Sequence, residues 1–500
     1  MNRREFLYLL GGTAVGAGGL AGGLWLKNRP SAGPGALSLD VNDIHSKLNA
    51  ARVRAIERPE TLEEVLGIVR RAVREKETLC VSGSRHAMGG QQFADGATLL
   101  DTRGLKSVMD LDTKAGLIQV EAGIEWPELV EELASRQKGT PDYWTIRSKQ
   151  TGADKLTLGG AISANAHGRA LSHPPIVADM AELLIVNADG ETVIASRDDN
   201  GELFSLATGG YGLFGLVHSV VYRLERRQKI QRIVEILDAD QVMSTFEERI
   251  ADGYTSGDWQ YAIDESTDDY LHKGVFSCYK PVPIDTEIED DQVGVSDRAW
   301  KELVYLAHTD KARGFQLYSD FYMESSGQVY WSDTSQIGGY DVDYHVDTDR
   351  RMKAIDPATE MITEIYVPRD RLVDFLDATA VEFRKVKANV IYGTVRLIEK
   401  DDVSFLAWAK QPYACIIFNL HVVHTEEKIA EAADAFRLLI DLAIERGGSY
   451  YLTYHRWARK DQILACYPQF PEFLQKKASY DPERLFQSDW YRHYVEMFDA

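Results

Sequence analysis

The stretch Val81-Ser82-Gly83-Ser84-Arg85-His86-Ala87-Met88-Gly89-Gly90-Gln91 constrains this chain more than any other feature. It continues from Thr78-Leu79-Cys80-Val81, an apolar run that predicts a buried strand. Small residues directly after a strand let successive backbone N–H groups converge on an anion, and glycine is needed where phosphate oxygens approach the main chain. The expected occupant is a pyrophosphate. Taken alone, the loop also reads as a bland turn.

The surrounding pattern is mixed. At 500 residues the chain exceeds the size of one hydrophobic core, which predicts two globular units. Leu62, Val65, Leu66, Ile68 and Val69 recur at helical spacing, with Thr61 as cap and Glu64 placed for a capping box. Strands are expected at Leu99-Leu100-Asp101, Ile118-Gln119-Val120, Glu182 to Val186, Thr192-Val193-Ile194 and Leu216 to Leu224, and a helix at Trp126 to Ala134. From about Lys229 glycine thins out, and strand–helix pairs follow at Met361–Val367 with Arg369–Val381 and at Ala414–Val423 with Thr425–Ile444. Together these features predict α+β rather than a doubly wound sheet.

Three glycine-rich clusters occur in order: the His86 loop, then Leu156-Thr157-Leu158-Gly159-Gly160-Ala161 with Asn165-Ala166-His167-Gly168, then Gly209 to Gly215. Their order, with the closing Asp481-Pro482-x-x-x-Phe486-x-Ser488, resembles the PCMH-type FAD-binding fold of the vanillyl-alcohol oxidase superfamily, which includes aldonolactone and alditol oxidases and cytokinin dehydrogenase. The resemblance covers about residues 50–225 and 445–500 and implies FAD as cofactor. It implies an FAD-binding domain at 50–227, an α+β substrate (cap) domain with an antiparallel sheet at 228–445, and a segment at 446–500 returning to the first domain. On this reading Val81, Ser82, Gly83, Ser84, Arg85, His86 and Ala87 wrap the pyrophosphate. Thr157, Gly160, Ala164, Asn165, His167 and Val217 line adenine, ribose and flavin. His86 stands where many members attach FAD covalently, although Ser84-Arg85-His86-Ala87 departs from their Gly-x-Gly-His-Ser; the alternative is a histidine that only hydrogen-bonds the cofactor. Gly210-x-Gly212-x-x-Gly215 follows no suitable βα turn, so it reads as flavin-domain packing rather than a nicotinamide site.

Oxidising a C–OH or C–NH group needs a base for the departing proton and polar groups that fix the substrate. Glu364 resembles the strand glutamate of sugar- and alditol-oxidising members, although Tyr366 stands where many of them carry Arg. Tyr454 and His455 fall where relatives present a catalytic Lys or His and are the base candidates. Arg396 and His421, on neighbouring strands, are candidates for binding a carboxylate or alkoxide. His308, His345 and His424 read as surface histidines.

The expected function is hydride transfer from the C–H of a small alcohol, sugar or aldonolactone-like substrate, with oxygen or a quinone or cytochrome taking the electrons. A carbon–carbon double-bond reductase and a non-catalytic exported flavin- or sugar-binding protein are the alternatives. The formal charge of −21 argues against nucleic acid as a partner. Cys80, Cys278, Cys415 and Cys466 show no zinc-like spacing, so they read as buried thiols and no metal site is expected. Arg3-Arg4-Glu5-Phe6-Leu7 before a Gly/Ala-rich stretch, followed by the linker Pro30 to Gly35, resembles a twin-arginine export signal over residues 1–35. That implies a periplasmic protein, with membrane contact only through an uncleaved signal.

Overall fold

A computed structural model describes residues 38–338 and 345–499, so the double-arginine segment and its linker lie outside the described residues. No described helix is long and apolar enough to cross a membrane.

Among the described residues the N-terminal half builds two larger sheets beside two short two-stranded ones. In the first, parallel sheet, β1 (Ala55–Glu57), β2 (Leu79–Ser82) and β3 (Thr98–Asp101) lie in the order β1-β3-β2. Helix α1 (Leu62–Glu75) connects β1 to β2 and buries Val65, Ile68, Val69 and Ala72 against it, as the helical spacing predicts. Thr61 Oγ1 accepts from Glu64 N, while the Glu64 carboxylate reaches Glu60 N rather than the cap residue itself. Strands β4 (Val108–Asp112), β5 (Leu117–Glu121), β6 (Met180–Val186), β7 (Thr192–Ser196) and β8 (Leu216–Arg223) form an antiparallel sheet ordered β7-β6-β8-β5-β4. Helices α2 (Trp126–Arg136) and α3 (Leu158–Ala164) pack into its core.

An eight-stranded antiparallel sheet follows: β9 (Lys229–Asp238), β10 (Ser256–Tyr261), β11 (Lys273–Val282), β12 (Val329–Trp331), β13 (Ala358–Pro368), β14 (Val390–Ile398), β15 (Tyr413–Val423) and β16 (Ser449–Tyr450). Its order is β12-β9-β11-β10-β14-β15-β13-β16. Helix α4 (Ala239–Ala251) packs against it, as do α5 (Asp297–Thr309) and α6 (Lys311–Glu324), then α7 (His345–Met352), α8 (Leu372–Val386) and α9 (Glu426–Ile444). The architecture is α+β, with an N-terminal half of smaller sheets and an eight-stranded antiparallel sheet flanked by helices, called the cap sheet below.

The chain end returns to the first sheet. Leu79 N donates to Leu485 O and Gln487 N to Leu79 O, so residues 485–487 extend the parallel sheet beside β2. One apolar core runs through the five-stranded sheet, the cap sheet and this tail, burying Trp126, Trp259, Trp408 and Trp490. All four cysteines are free and buried. The histidines read as surface residues are not: the His308 side chain is 1% exposed and His345 is buried, both against Glu360. His424 is half-buried beside Thr359 Oγ1 at 2.8 Å. The linear pattern missed them because their burial comes from strands β13 and β15, remote in sequence from His308 and His345.

Candidate active site

Strand β2 delivers the loop that begins at Gly83 into a cleft of about 1380 Å³, counted out to its open mouth. A side chain at Gly83 would place its Cβ 2.0 Å from Thr157 Oγ1, so only glycine lets the loop lie against the start of α3. Arg85 sits at φ +66°, a left-handed conformation that non-glycine residues adopt at some cost. Among the described residues, the backbone N–H groups of Ser84 to Ala87 reach no protein acceptor, and the buried Arg85 Nε has no partner either. Unmet donors around a cradle that a Cβ would fill are the features a diphosphate requires, so these residues fit the phosphates of FAD.

The sequence-predicted cofactor residues line this cleft, except Ser82 and Asn165. Ser82 is buried and turns its hydroxyl onto Gly83 O. Asn165 caps α3 at φ +49° and donates to Asp401 Oδ2 at 2.8 Å and Ser404 Oγ at 3.2 Å, tying the turn to the cap unit instead of facing the cleft. Its role is scaffolding. His86 does face the cleft: its Nδ1 lies 2.7 Å from His45 Nε2 and its Nε2 lies 3.0 Å from Lys155 O. Burial lowers the pKa of His86 to about 3 and that of His45 to about 4, which keeps both rings neutral. His45 was not singled out from the sequence, because nothing local to it marks it.

Glu364 is the centre of a second network. Its Oε1 accepts from Tyr454 OH at 2.6 Å, and its Oε2 accepts from Tyr366 OH at 3.0 Å. His167 Nε2 lies 2.7 Å from Oε2, and the Cys415 thiol donates to the same oxygen at 3.7 Å. Burial by itself would raise the Glu364 pKa; the charge and hydrogen bond of His167, the Tyr454 hydrogen bond and the Arg396 charge outweigh it and hold the carboxyl at about 2. Tyr454 moves the other way. Burial, then the neighbouring carboxylate, push its phenol well above its ordinary value, so it stands as a hydrogen-bond donor rather than the free base suggested by its position.

Glu364, Arg396, Tyr454 and Ile362 also line a second cavity of about 1780 Å³ under the cap sheet. Its walls are aromatic: Tyr261 from β10, Tyr392 from β14, Trp300 from α5, Tyr318 and Tyr322 from α6. Arg396 Nε is buried without a partner where the two cavities meet. These tyrosines were not legible as one group, since three elements far apart in sequence supply them.

Two candidates fall elsewhere. His455 is buried in a sandwich, 3.9 Å from the Phe436 ring and 4.6 Å from the Trp457 ring, and lines neither cavity. Tyr454 lies in a bend after the turn at Leu452 and Thr453, and that bend leaves Tyr454 over the cleft while His455 packs on Phe436 and Trp457. Burial takes its pKa to about 3. His421 lies on β15 beyond Asn419, 3.4 Å from Glu360 Oε1 and away from Glu364.

Residues 53–196 match the FAD binding domain family. The chain is 22% identical over 454 residues to an L-gulono-1,4-lactone dehydrogenase of Mycobacterium tuberculosis, covering 88% of this chain and 95% of that protein. It is 24% identical over 477 residues to cytokinin dehydrogenase 7 of Oryza sativa subsp. japonica, covering 88% and 86%. An uncharacterized oxidoreductase of the fasciation locus of Rhodococcoides fascians is 31% identical over 183 residues, and the match spans 39% of that protein's length. With the loop geometry, these similarities support an FAD-binding PCMH-type oxidoreductase family for this chain and FAD as its cofactor.

Proposed function

We propose that this protein oxidises a C–OH group of a small polar substrate, of the alcohol, sugar or aldonolactone class, at the junction of the two cavities. The observation that carries this reading is that Glu364, Arg396 and Tyr454 line both the FAD cleft and the aromatic cavity. FAD supplies the hydride acceptor at its N5 position. The aromatic walls exclude water from the substrate, and the unpaired Arg396 guanidinium binds a carbonyl or carboxylate oxygen. Glu364 Oε1 carries one protein hydrogen bond, which leaves it a lone pair for the substrate hydroxyl. As the C–H bond breaks, the hydroxyl proton is drawn toward that oxygen, with His167 held behind it. Tyr454 fixes the carboxylate and presents its phenol to the same space. The similarity to a lactone dehydrogenase over most of both chains favours a lactone-like substrate over a simple alcohol.

Anaerobic mixing with alcohols, alditols and aldonolactones, followed by visible absorbance, tests this. Bleaching by a lactone or polyol is expected. A flavin that no donor reduces would overturn the reading in favour of a binding protein, and one bleached only by a reduced nicotinamide would point to a double-bond reductase. Reoxidation of the reduced enzyme in air separates oxygen from a quinone or cytochrome as acceptor.

The proposal extends to His86 as a covalent attachment point for FAD. Its neutral ring lies in the cleft with Nε2 donating to Lys155 O and Nδ1 accepting from His45 Nε2; joining the ring to the flavin methyl carbon would replace an N–H and a C–H, with oxygen or another acceptor taking the two electrons and two protons. Acid precipitation should leave the yellow colour in the pellet and His86→Ala should release it; full recovery of FAD in the wild-type supernatant refutes the bond. Export by the twin-arginine route rests on Arg3 and Arg4, and replacing both by Lys should leave the protein in the cytoplasm.

A further inference from the structure

We propose that His308, Glu360 and His421, completed by His345, form a divalent-metal site of zinc type that clips the roof of the aromatic cavity to the cap sheet. Glu360 on β13 pairs directly with His421 on β15. His308 comes from the last turn of α5 and His345 opens α7, so four elements converge on one point. His308 Nε2 and His421 Nδ1 each lie 3.4 Å from Glu360 Oε1, and His345 Nε2 contacts Glu360 Oε2. The donor atoms of His308, Glu360 and His421 all fall within 4.8 Å of one another. Four ligands held tetrahedrally at about 2.0–2.1 Å from zinc stand roughly 3.4 Å apart, the separation of His308 Nε2 and of His421 Nδ1 from Glu360 Oε1.

The hydrogen bonding points the same way. His308 is 1% exposed in its side chain, yet neither ring nitrogen has a hydrogen-bond partner. A buried imidazole left in that state is costly, and a cation among the rings takes up the lone pair of Nε2, the nitrogen that faces Glu360. Protons on the rings are a poor substitute, because three imidazolium groups would crowd around Glu360 with only Asp349, 3.9 Å from His345 Nδ1, beside them. The other cluster of suitable donors, His167, Glu364 and Cys415, differs: there the carboxylate already takes hydrogen bonds from Tyr366, Tyr454 and the Cys415 thiol, so it carries no ion.

Three histidines and one carboxylate suit zinc better than magnesium or calcium, which take oxygen ligands. Four protein ligands make a closed, structural site. Glu360 is four residues along β13 from Glu364, roughly 13 Å at about 3.4 Å per residue, so the ion does not touch the reacting atoms. It acts on the cavity instead. Ala307, next to His308, lines the cavity with Trp300, Leu303 and Val304, all of α5. Fastening His308 and His345 to β13 and β15 fixes that wall over the substrate.

The test is elemental analysis of the purified FAD-containing protein, dialysed against metal-free buffer after exposure to an equimolar excess of zinc ion. One zinc per chain is expected, with a melting temperature that falls on adding a chelator. His308→Gln and Glu360→Gln should lose the ion while FAD, read from visible absorbance, stays bound; His308→Cys, which restores a ligand, should recover it. Wild-type protein that takes up no zinc and whose melting temperature ignores the chelator overturns the proposal, as does zinc retained by both His308→Gln and Glu360→Gln. Because the wild-type measurements stand alone, a variant that fails to fold does not rescue it.

Discussion

Glu364 combines burial with a depressed pKa, two properties that normally oppose each other. The consequence is a carboxylate that stays ionised throughout any working range. A group whose folded pKa is lowered contributes stability above its unfolded value of about 4.3, and that contribution is lost only as pH falls through about 2. An acid limb in the rate of flavin reduction above about pH 4 would therefore belong to another group. Glu364→Gln keeps the shape and removes the charge; we expect flavin reduction to slow by about 10²-fold or more, read by stopped flow, with FAD still bound. Tyr454→Phe removes the donor to Oε1 and should lower the reduction rate about tenfold while changing substrate affinity less, if the phenol acts in the reaction rather than in binding. An unchanged rate would remove Tyr454 from the site.

At the scale of elements, the cofactor cleft depends on the contact between the Gly83 loop and α3, and on the tail strand that backs β2. Gly83→Ala drives a methyl group into Thr157, the residue whose hydroxyl accepts from Gly160 N to cap α3. A cost of about 1–3 kcal/mol and a fall in the FAD-to-protein absorbance ratio are expected. The tail is held by Asp481, which pairs with the buried Lys477 and accepts from Leu485 N and Phe486 N, each at 2.8 Å. Asp481→Ala leaves a lysine that is 0% exposed without its counter-charge. Denaturant titration should show a loss of about 3–5 kcal/mol, accompanied by weaker FAD retention because Phe486 no longer bridges Leu79.

For the whole molecule, several histidines are folded into the interior as neutral rings. His45, His86 and His455 have pKa values lowered by burial to about 4, 3 and 3, against about 6.5 in an unfolded chain. Between those values the unfolded state binds more protons, so stability is full above about pH 6.5 and declines as pH falls toward 4 and 3. Melting temperature should drop between about pH 7 and about pH 5, and the decline should be shallower in His455→Gln. A flat profile would mean these rings are charged or hydrated in the fold.

What the sequence determined by itself was local. Glycine at Gly83, a cap at Thr61 and the apolar spacing of α1 are requirements of the backbone within a few residues, so the strand–loop–helix units and the FAD loop could be read directly. The β13 and β15 strands were likewise legible from their apolar runs. Tertiary structure alone decided which side chains meet. Tyr454 faces the cleft and His455 the core because the chain turns and bends between Leu452 and Arg456. Asn165 was drawn to Asp401 and Ser404 rather than to the cofactor, and His308 and His345 were carried from apparent surface helices onto Glu360. The physical reason is distance along the chain: a hydrogen bond or a ligand set joining residues dozens to hundreds of positions apart leaves no mark on the spacing around either one, and it exists only once the sheets have packed.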